Sequence, residues 1–170
     1  REKLMSLNGL QMYRVKLESV RVSAANRLGG ASGHDFEPVL AAMRVATAAA
    51  AVGVANAAFE YSMNYAKERE AFGVKIAQKQ AIAFMLAEMR TEIEASRLLT
   101  WEAAWKLDQG KEDAFTEAYL ASTGAADMAM MVTDRAVQIL GGHGYIREHP
   151  VEMRMRNGRG FAMFTGLSIV

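Results

Sequence analysis

Residues 82–93, IAFMLAEMRTEI, carry the pattern that decides the fold. Their large apolar residues follow one another at intervals of three, one, three and four positions, which places them on one face of an α-helix. This spacing predicts that the face is buried against neighbouring helices, because helical periodicity reports core packing. Trp101 and Trp105 are expected to extend the same buried face. The residues that form the pattern are Ile82, Met85, Leu86, Met89 and Ile93.

Two further segments predict long helices on either side of this one. An alanine-rich segment at about 38–68 begins with Pro38, whose fixed φ suits the first turn of a helix. A third segment spans about 113–140; it follows a turn in LDQGKED, residues 107–113, and ends at the glycines of GGHG. Together with a shorter helix after Pro150, these segments predict a mainly α fold, an antiparallel four-helix bundle.

The N-terminal part of the chain has a different pattern. In MYRVKLESVRV, residues 12–22, apolar residues fall near period two with one slip, which predicts a short β-strand or a strand with a bulge. Glycine and polar residues are then concentrated in residues 26–38. We therefore expect a boundary near residue 33, with the helices after it.

Composition narrows the possible partners. The chain has 170 residues and no cysteine, so disulfides, thiolate catalysis and cysteine zinc sites are excluded. Because its net charge is only +1, no nucleic acid or acidic membrane surface is expected as a partner. The most apolar stretch, residues 45–59, is shorter than the roughly 20 residues of a membrane span, so no transmembrane helix is expected. His34, His143 and His149 lack ligand spacing, and no metal site is expected. A cytoplasmic setting is compatible with the absence of cysteine.

Two stretches contain residue types that suit a nucleotide. In YAKEREAFG, residues 65–73, Arg69 offers planar donors for phosphate, Phe72 an aromatic face and Gly73 a close backbone turn. The other interpretation is a solvated helix end whose phenylalanine fills the core. The residues alone do not decide between these two.

The second stretch is QILGGHGYIREHPVE, residues 138–152. Its three glycines within four residues permit positive φ and expose backbone N–H groups, and Gln138 adds a side-chain donor. The other interpretation is a helix C-cap and turn. Because no strand precedes the glycines, the stretch is not the dinucleotide fingerprint of a βαβ unit.

Taken in order, these stretches resemble the C-terminal part of the acyl-CoA dehydrogenase family of flavoproteins. Residues 65–89, YAKEREAFGVKIAQKQAIAFMLAEM, and residues 136–157, AVQILGGHGYIREHPVEMRMRN, are similar to two long motifs of that family in the correct order and separation. LESVRVSAANRLGG, residues 17–30, is similar to the strand and linker that close its middle β-domain. The resemblance implies that residues 1–32 end that domain and its linker, and that residues 33–170 form the C-terminal helical bundle domain.

The resemblance also implies a cofactor, partners and chemistry. FAD would lie between the bundle and a β-domain, in a homo-oligomer that is a dimer or a tetramer. In such enzymes of fatty acid metabolism a carboxylate removes the α-proton of an acyl-CoA thioester while the β-hydride passes to the flavin, and an electron-accepting redox protein takes the electrons. The implied FAD contacts are Arg69, Phe72, Gly73, Gln80, Gln138, Gly141, Gly142 and Gly144.

The catalytic base of the family is missing from its usual position. The family commonly ends with aromatic-Glu-Gly, and this chain has Phe164, Thr165 and Gly166 there. A threonine hydroxyl is far too weak an acid to act as a carboxylate does, so the identity of the catalytic residue is unknown.

The second position at which the family carries its catalytic base also lacks a carboxylate in this chain. Some family members carry it immediately before an arginine that corresponds to Arg44, and this chain has Met43 at that place. The family's aspartate after Arg156 is replaced by Asn157, which removes one more negative charge. Arg44, Phe164 and Gly166 remain the residues implied to contact the substrate.

Three functions therefore stay open. The first is an FAD-dependent acyl-CoA dehydrogenase that desaturates an acyl-CoA thioester with a base from elsewhere. The second is a flavoprotein of the same scaffold with different chemistry, or a catalytically impaired acyl-CoA-binding subunit. The third is a flavin-free helical interaction module.

Overall fold

The structure, a computed structural model, describes residues 2–7, 9 and 11–163. Helices account for most of the described chain, and a single short hairpin lies between the first two. The elements are α1 (Glu37–Glu68), β1 (Glu70–Ala71), β2 (Val74–Lys75), α2 (Gln80–Asp108), α3 (Ala114–Leu140), α4 (Gly142–Tyr145) and α5 (Val151–Phe161). The predicted bounds of the first and third long helices are confirmed to within one residue.

The ends of the helices follow from local chemistry. Before α1, the Asp35 carboxylate accepts a hydrogen bond from the Glu37 N–H at 2.9 Å, and Pro38 occupies the first turn. At the other end of the bundle, α3 ends at Gly141. Its φ is 57°, a conformation that residues with a side chain rarely adopt. The predicted turn at residues 107–113 contains Gly110, with φ of 60°.

Contacts between helices confirm the predicted antiparallel arrangement. Arg44 near the start of α1 lies over Tyr119 near the start of α3, so these two helices run in the same direction. Helix α2 runs the opposite way, since its early residue Arg90 donates to Asn56 in the second half of α1 at 3.4 Å. Helix α5 returns along α1, since Arg154 near its start donates to the Ala57 carbonyl at 2.9 Å and Phe161 at its end lines a cavity with Arg44.

Small side chains on α1 allow the close packing of this bundle. Nine of its residues are buried, and six of these are alanines, which let neighbouring helices approach closely. They meet larger residues from α2 and α3, of which Met89, Ile93 and Val132 are fully buried.

The expectation that Trp101 and Trp105 extend the buried face of α2 is wrong. Their side chains are 62% and 54% exposed. Beyond Ile93 the buried face continues at intervals of three, four and three positions through smaller residues, and both tryptophans lie to one side of it. The small residues are Ser96, Thr100 and Ala103.

The strand predicted at residues 12–22 is also wrong, because no strand is present between residues 11 and 36. A strand needs a partner for its backbone hydrogen bonds. Here the nearest backbone pairing is one bond from Glu2 N–H to the Met12 carbonyl at 2.8 Å. The apolar side chains of the segment are accordingly 61–75% exposed at Val15, Leu17, Val20 and Val22.

Residues 5–7 are attached to α5. Asn157 accepts a hydrogen bond from the Leu7 N–H at 2.8 Å, and Arg156 donates to the Met5 carbonyl at 2.8 Å. Gly160 makes room for Ser6, because a Cβ there would lie 2.4 Å from the Ser6 Oγ. Asn157 therefore supplies the acceptor that an aspartate would also supply, without its charge.

Helix α1 passes a test of length and composition for crossing a membrane, as no other described helix does. The apolar residues at 45–59 are part of this 32-residue helix, so the short length of that stretch does not by itself exclude a membrane span. The core helix of a bundle satisfies the same criteria, and α1 packs against α2, α3 and α5.

Candidate functional site

The stretch at 65–73 forms the hairpin after α1. Glu70 pairs with Lys75 and Ala71 with Val74, which leaves a two-residue turn of Phe72 and Gly73. Their φ angles of 57° and 77° are those of a type I′ turn, whose twist suits an antiparallel hairpin. The Lys75 ammonium lies 2.8 Å from the Glu70 carboxylate, and this hydrogen bond lowers the pKa of Glu70.

Phe72 does not fill the core, so that interpretation of the stretch is wrong. Its ring is 93% exposed and lies 5.7 Å from the Lys79 ammonium. A bulky residue with positive φ is strained, and packing within the described chain does not compensate for it. Arg69 is exposed beside it, with no ion pair to another described residue.

The glycines at 141–144 differ from one another. Only Gly141 has a positive φ, and Gly142 begins the single turn of α4. Gly144 is buried, and a Cβ there would lie 2.3 Å from the Val137 carbonyl oxygen. The expectation that all three glycines expose backbone N–H groups is therefore wrong for Gly144, whose N–H donates to the Gly141 carbonyl at 2.9 Å. Gly144 is needed for packing of α4 against α3.

The structure brings the two stretches together at one end of the bundle. Tyr65, in the last turn of α1, has its ring centroid 6.2 Å from that of His143 and 5.8 Å from that of His149. The backbone N–H of Arg69 donates to the Tyr65 carbonyl at 2.8 Å. Tyr61 is hydrogen-bonded through its hydroxyl to Nδ1 of His149 at 2.7 Å. We call this end, with Arg69, Phe72 and the 138–144 loop, the hairpin end.

Sequence spacing alone could not have found the aromatic cluster, because Tyr61 and His149 are 88 positions apart. Gln80 and Gln138 are exposed at the same end, one at the start of α2 and the other in the last turn of α3. His34 lies elsewhere, against Phe36 before α1. Among the described residues no group of three or more has the arrangement of a metal site.

A second candidate region surrounds Arg44. The Arg44 guanidinium lies 5.2 Å from the centroid of the Tyr119 ring, and both residues line a cavity of about 490 Å³. The cavity is also bordered by Phe161 and Ala162, where α5 ends. Sequence reasoning missed Tyr119, Ser122, Thr123 and Asp127, which line the same cavity.

These two regions are far apart. Along α1, Arg44 and Arg69 are separated by roughly 37 Å at 1.5 Å per residue. Within one chain they therefore form two separate sites. Phe164, Thr165 and Gly166 lie outside the described residues, so their predicted positions stay predictions.

Comparisons with known proteins agree in the family that they indicate. Residues 36–170 match the family model described as the acyl-CoA dehydrogenase C-terminal domain. The chain is 39% identical over 172 residues to the caffeyl-CoA reductase-Etf complex subunit CarC of Acetobacterium woodii, covering 99% of this chain and 45% of that protein. It is 39% identical over 167 residues to cyclohex-1-ene-1-carbonyl-CoA dehydrogenase of Geobacter metallireducens, covering 97% and 44%.

The fold agrees as well. The structure superposes on butyryl-CoA dehydrogenase of Megasphaera elsdenii with a TM-score of 0.73 and 41% identity, covering 75% of this chain and 33% of that one. The chain thus spans less than half the length of the relatives that it matches.

Proposed function

Because the chain belongs to the acyl-CoA dehydrogenase family, as its C-terminal helical domain, we propose that it is the helical part of an FAD-dependent oxidoreductase that desaturates acyl-CoA thioesters. The observation that carries this proposal is the meeting of the 65–73 and 138–144 stretches at the hairpin end. Neither stretch is persuasive alone. Together they supply the cation of Arg69, the aromatic face of Phe72 and the accessible backbone of the glycines.

The residues at the hairpin end fit the nucleotide half of FAD. Gly73, Gly141 and Gly142 have no other residue within 4 Å of the place that a Cβ would take, so a ligand can approach their backbone. Arg69 offers planar donors to phosphate, and the exposed ring of Phe72 offers an apolar face. Gln80 and Gln138 add amide donors nearby. When bound, FAD supplies the hydride acceptor.

The separation of the two sites supports an oligomer. Arg69 lies roughly 37 Å from Arg44, too far for one chain to hold the nucleotide half of an FAD with Arg69 and the substrate of the same FAD beside Arg44. We propose that the hairpin end serves the cofactor of a neighbouring subunit while the Arg44 cavity serves the chain's own substrate. A homo-oligomer, either a dimer or a tetramer, follows from this arrangement.

A redox partner is part of the same proposal. One relative is named as a subunit of a reductase complex with Etf. We propose an electron-accepting redox protein as partner here, and a cytoplasmic setting with no nucleic acid or membrane involved.

The base remains the open point of the mechanism. Thr165 and Met43 cannot take a proton as a carboxylate does, and the loss of general-base help slows such a reaction by about 10² to 10⁴. Among the described residues that line the Arg44 cavity, Asp127 is the one carboxylate. We propose Asp127 as the group that takes the proton, with Arg44 orienting the thioester.

This assignment has a direct test. Asp127→Asn should lower the rate of flavin reduction by acyl-CoA at least tenfold, whereas Asp134→Asn, another exposed aspartate on α3, should leave it unchanged. Equal rates in the two variants would remove Asp127 from the mechanism.

The proposed activity is tested with the full-length protein. It should purify with the absorbance of bound flavin, and anaerobic addition of acyl-CoA thioesters should bleach that absorbance. A flavin-containing protein whose spectrum does not respond to a broad acyl-CoA panel would contradict the desaturation.

The missing base favours a second candidate, a flavoprotein of the same scaffold with different chemistry or an impaired acyl-CoA-binding subunit. Thr165→Glu should create or strongly raise dehydrogenase activity if the base alone is absent. If the wild type shows no dehydrogenase activity, continued inactivity of that variant would favour the second candidate. A flavin-free interaction module is favoured only if dialysed full-length protein takes up no FAD.

A further inference from the structure

We propose that His143 is a further anion-binding residue, which donates a hydrogen bond to the phosphate groups of the FAD nucleotide half at the hairpin end. This inference rests on the proposed function. It adds a side chain that neither the sequence motifs nor the comparisons assign to the cofactor.

The two histidines of the cluster differ in what they are bound to. His149 is half-buried, and its Nδ1 is 2.7 Å from the Tyr61 hydroxyl, so it has a structural partner. His143 is exposed, and neither of its ring nitrogens is hydrogen-bonded to another residue in the described chain. The fold therefore uses one imidazole and leaves the polar atoms of the other available.

The ring of His143 is nevertheless held in place. Its centroid lies 6.2 Å from that of Tyr65 on α1 and 5.7 Å from that of His149 on the loop before α5. A ring held on two sides loses little rotational freedom when a ligand binds, which favours affinity. Among the described residues, Tyr65 and His149 are the titratable side chains whose rings contact His143; Tyr61 adjoins His149, and Arg154 lies over Tyr61.

The surroundings suit an anion. The carboxylate of Glu70 on the neighbouring hairpin is neutralised by Lys75 at 2.8 Å. Arg69 nearby has no ion pair within the described residues, and Gly142, next to His143, has open space over its backbone. An imidazole N–H and an accessible backbone, at the same end of the bundle as this guanidinium, supply donors for phosphate oxygens.

The experiment uses the full-length protein stripped of flavin and titrated with FAD, with the quenching of flavin fluorescence as the readout. His143→Ala should weaken FAD binding roughly tenfold, the loss expected for one hydrogen bond to a charged group. His143→Gln, which keeps a neutral N–H donor, should recover part of that loss. The matched control is His34→Ala, which removes an exposed imidazole that packs against Phe36.

The outcomes separate this inference from the proposed function. If the wild-type protein binds FAD, and His143→Ala binds it as tightly as His34→Ala does, the role of His143 is overturned and the proposed function stays intact. Wild-type protein that takes up no FAD would overturn both. Two results together would assign His143 a structural role instead. The thermal midpoint of the flavin-free protein would fall more in His143→Ala than in His34→Ala, and His143→Gln would not recover the affinity for FAD.

Discussion

Replacement of Gly144 by alanine tests how the loop at the hairpin end is held. The added Cβ would lie 2.3 Å from the carbonyl oxygen of Val137 and 3.0 Å from two further backbone atoms of that residue. Because these atoms belong to the backbone of α3, they cannot rotate away as a flexible side chain can. Helix α4 must move by about 1 Å to restore ordinary contact, and with it the loop that carries Gly142.

The expected magnitude follows from that displacement. Overpacking of a buried site destabilises by about 1 to 3 kcal/mol, and a clash with backbone belongs at the upper end, so we expect about 3 kcal/mol. Urea denaturation followed by circular dichroism should show a midpoint lower by about 1 to 3 M.

Gly142 provides the matched control two positions away. It lies in α4, its φ is not positive, and no other residue comes within 4 Å of the place of its Cβ. Gly142→Ala should therefore leave stability within about 1 kcal/mol of wild type, or raise it slightly, while it weakens FAD binding. Equal destabilisation by the two substitutions would show that Gly144 is not required for packing in a way that Gly142 is not.

Three further predictions concern the core, an ion pair and the hairpin. Ile93→Ala should destabilise by about 2 to 5 kcal/mol because the side chain is fully buried, and Leu98→Ala, 61% exposed on the same helix, by less than about 0.5 kcal/mol in the same denaturation assay. Arg156 hydrogen-bonds Glu152 at 2.9 Å and lowers the pKa of that carboxyl below its ordinary 4.5. A lowered pKa stabilises the fold at neutral pH, and this stabilisation is lost as pH falls through that pKa. The free energy of unfolding of the wild type should therefore be about 1 kcal/mol larger than that of Glu152→Gln at pH 7, and the two should become equal well below pH 4.5. A difference that does not change with pH would contradict this. Phe72→Gly should leave stability unchanged or raise it by up to about 1 kcal/mol, since it relieves a positive φ, yet weaken FAD retention; a destabilised variant would show that the ring packs within the protein.

The sequence predicted the bundle well because its signals are local. Pro38 marks the start of α1 and Gly141 the end of α3, and each acts through its own backbone conformation. The buried face of α2 is likewise visible in the spacing of Met89 and Ile93. Such features need no knowledge of the neighbouring elements.

Features that depend on a neighbour were not predictable in this way. The alternation at residues 12–22 indicates a strand, but a strand forms only where a second one supplies hydrogen bonds, and the described chain holds none for it. Trp101 and Trp105 follow helical spacing from Ile93 yet lie beside the face that is buried. A periodic pattern identifies a face and leaves open which of two adjacent apolar faces meets the core.

The candidate site shows the same division. Arg69 and Gly142 can be identified from sequence motifs, because an arginine donates hydrogen bonds to phosphate and a glycine leaves its backbone accessible to it. The role of Gly144 was misjudged, since the need for glycine comes from Val137 across the helix contact. The contact between His143 and Tyr65 could not be predicted from the sequence, because the fold brings the two rings together from helices far apart along the chain.

Substitution of Arg69 shows whether the hairpin end holds the nucleotide half of FAD. Titration of flavin-free full-length protein with FAD should reach saturation in the wild type. Arg69→Ala should weaken binding at least tenfold, because it removes the planar cation, and Arg159→Ala, an exposed arginine on α5, should not. Saturable binding that is equal in all three proteins would contradict the placement of FAD at the hairpin end, and no uptake by the wild type would contradict the account as a whole.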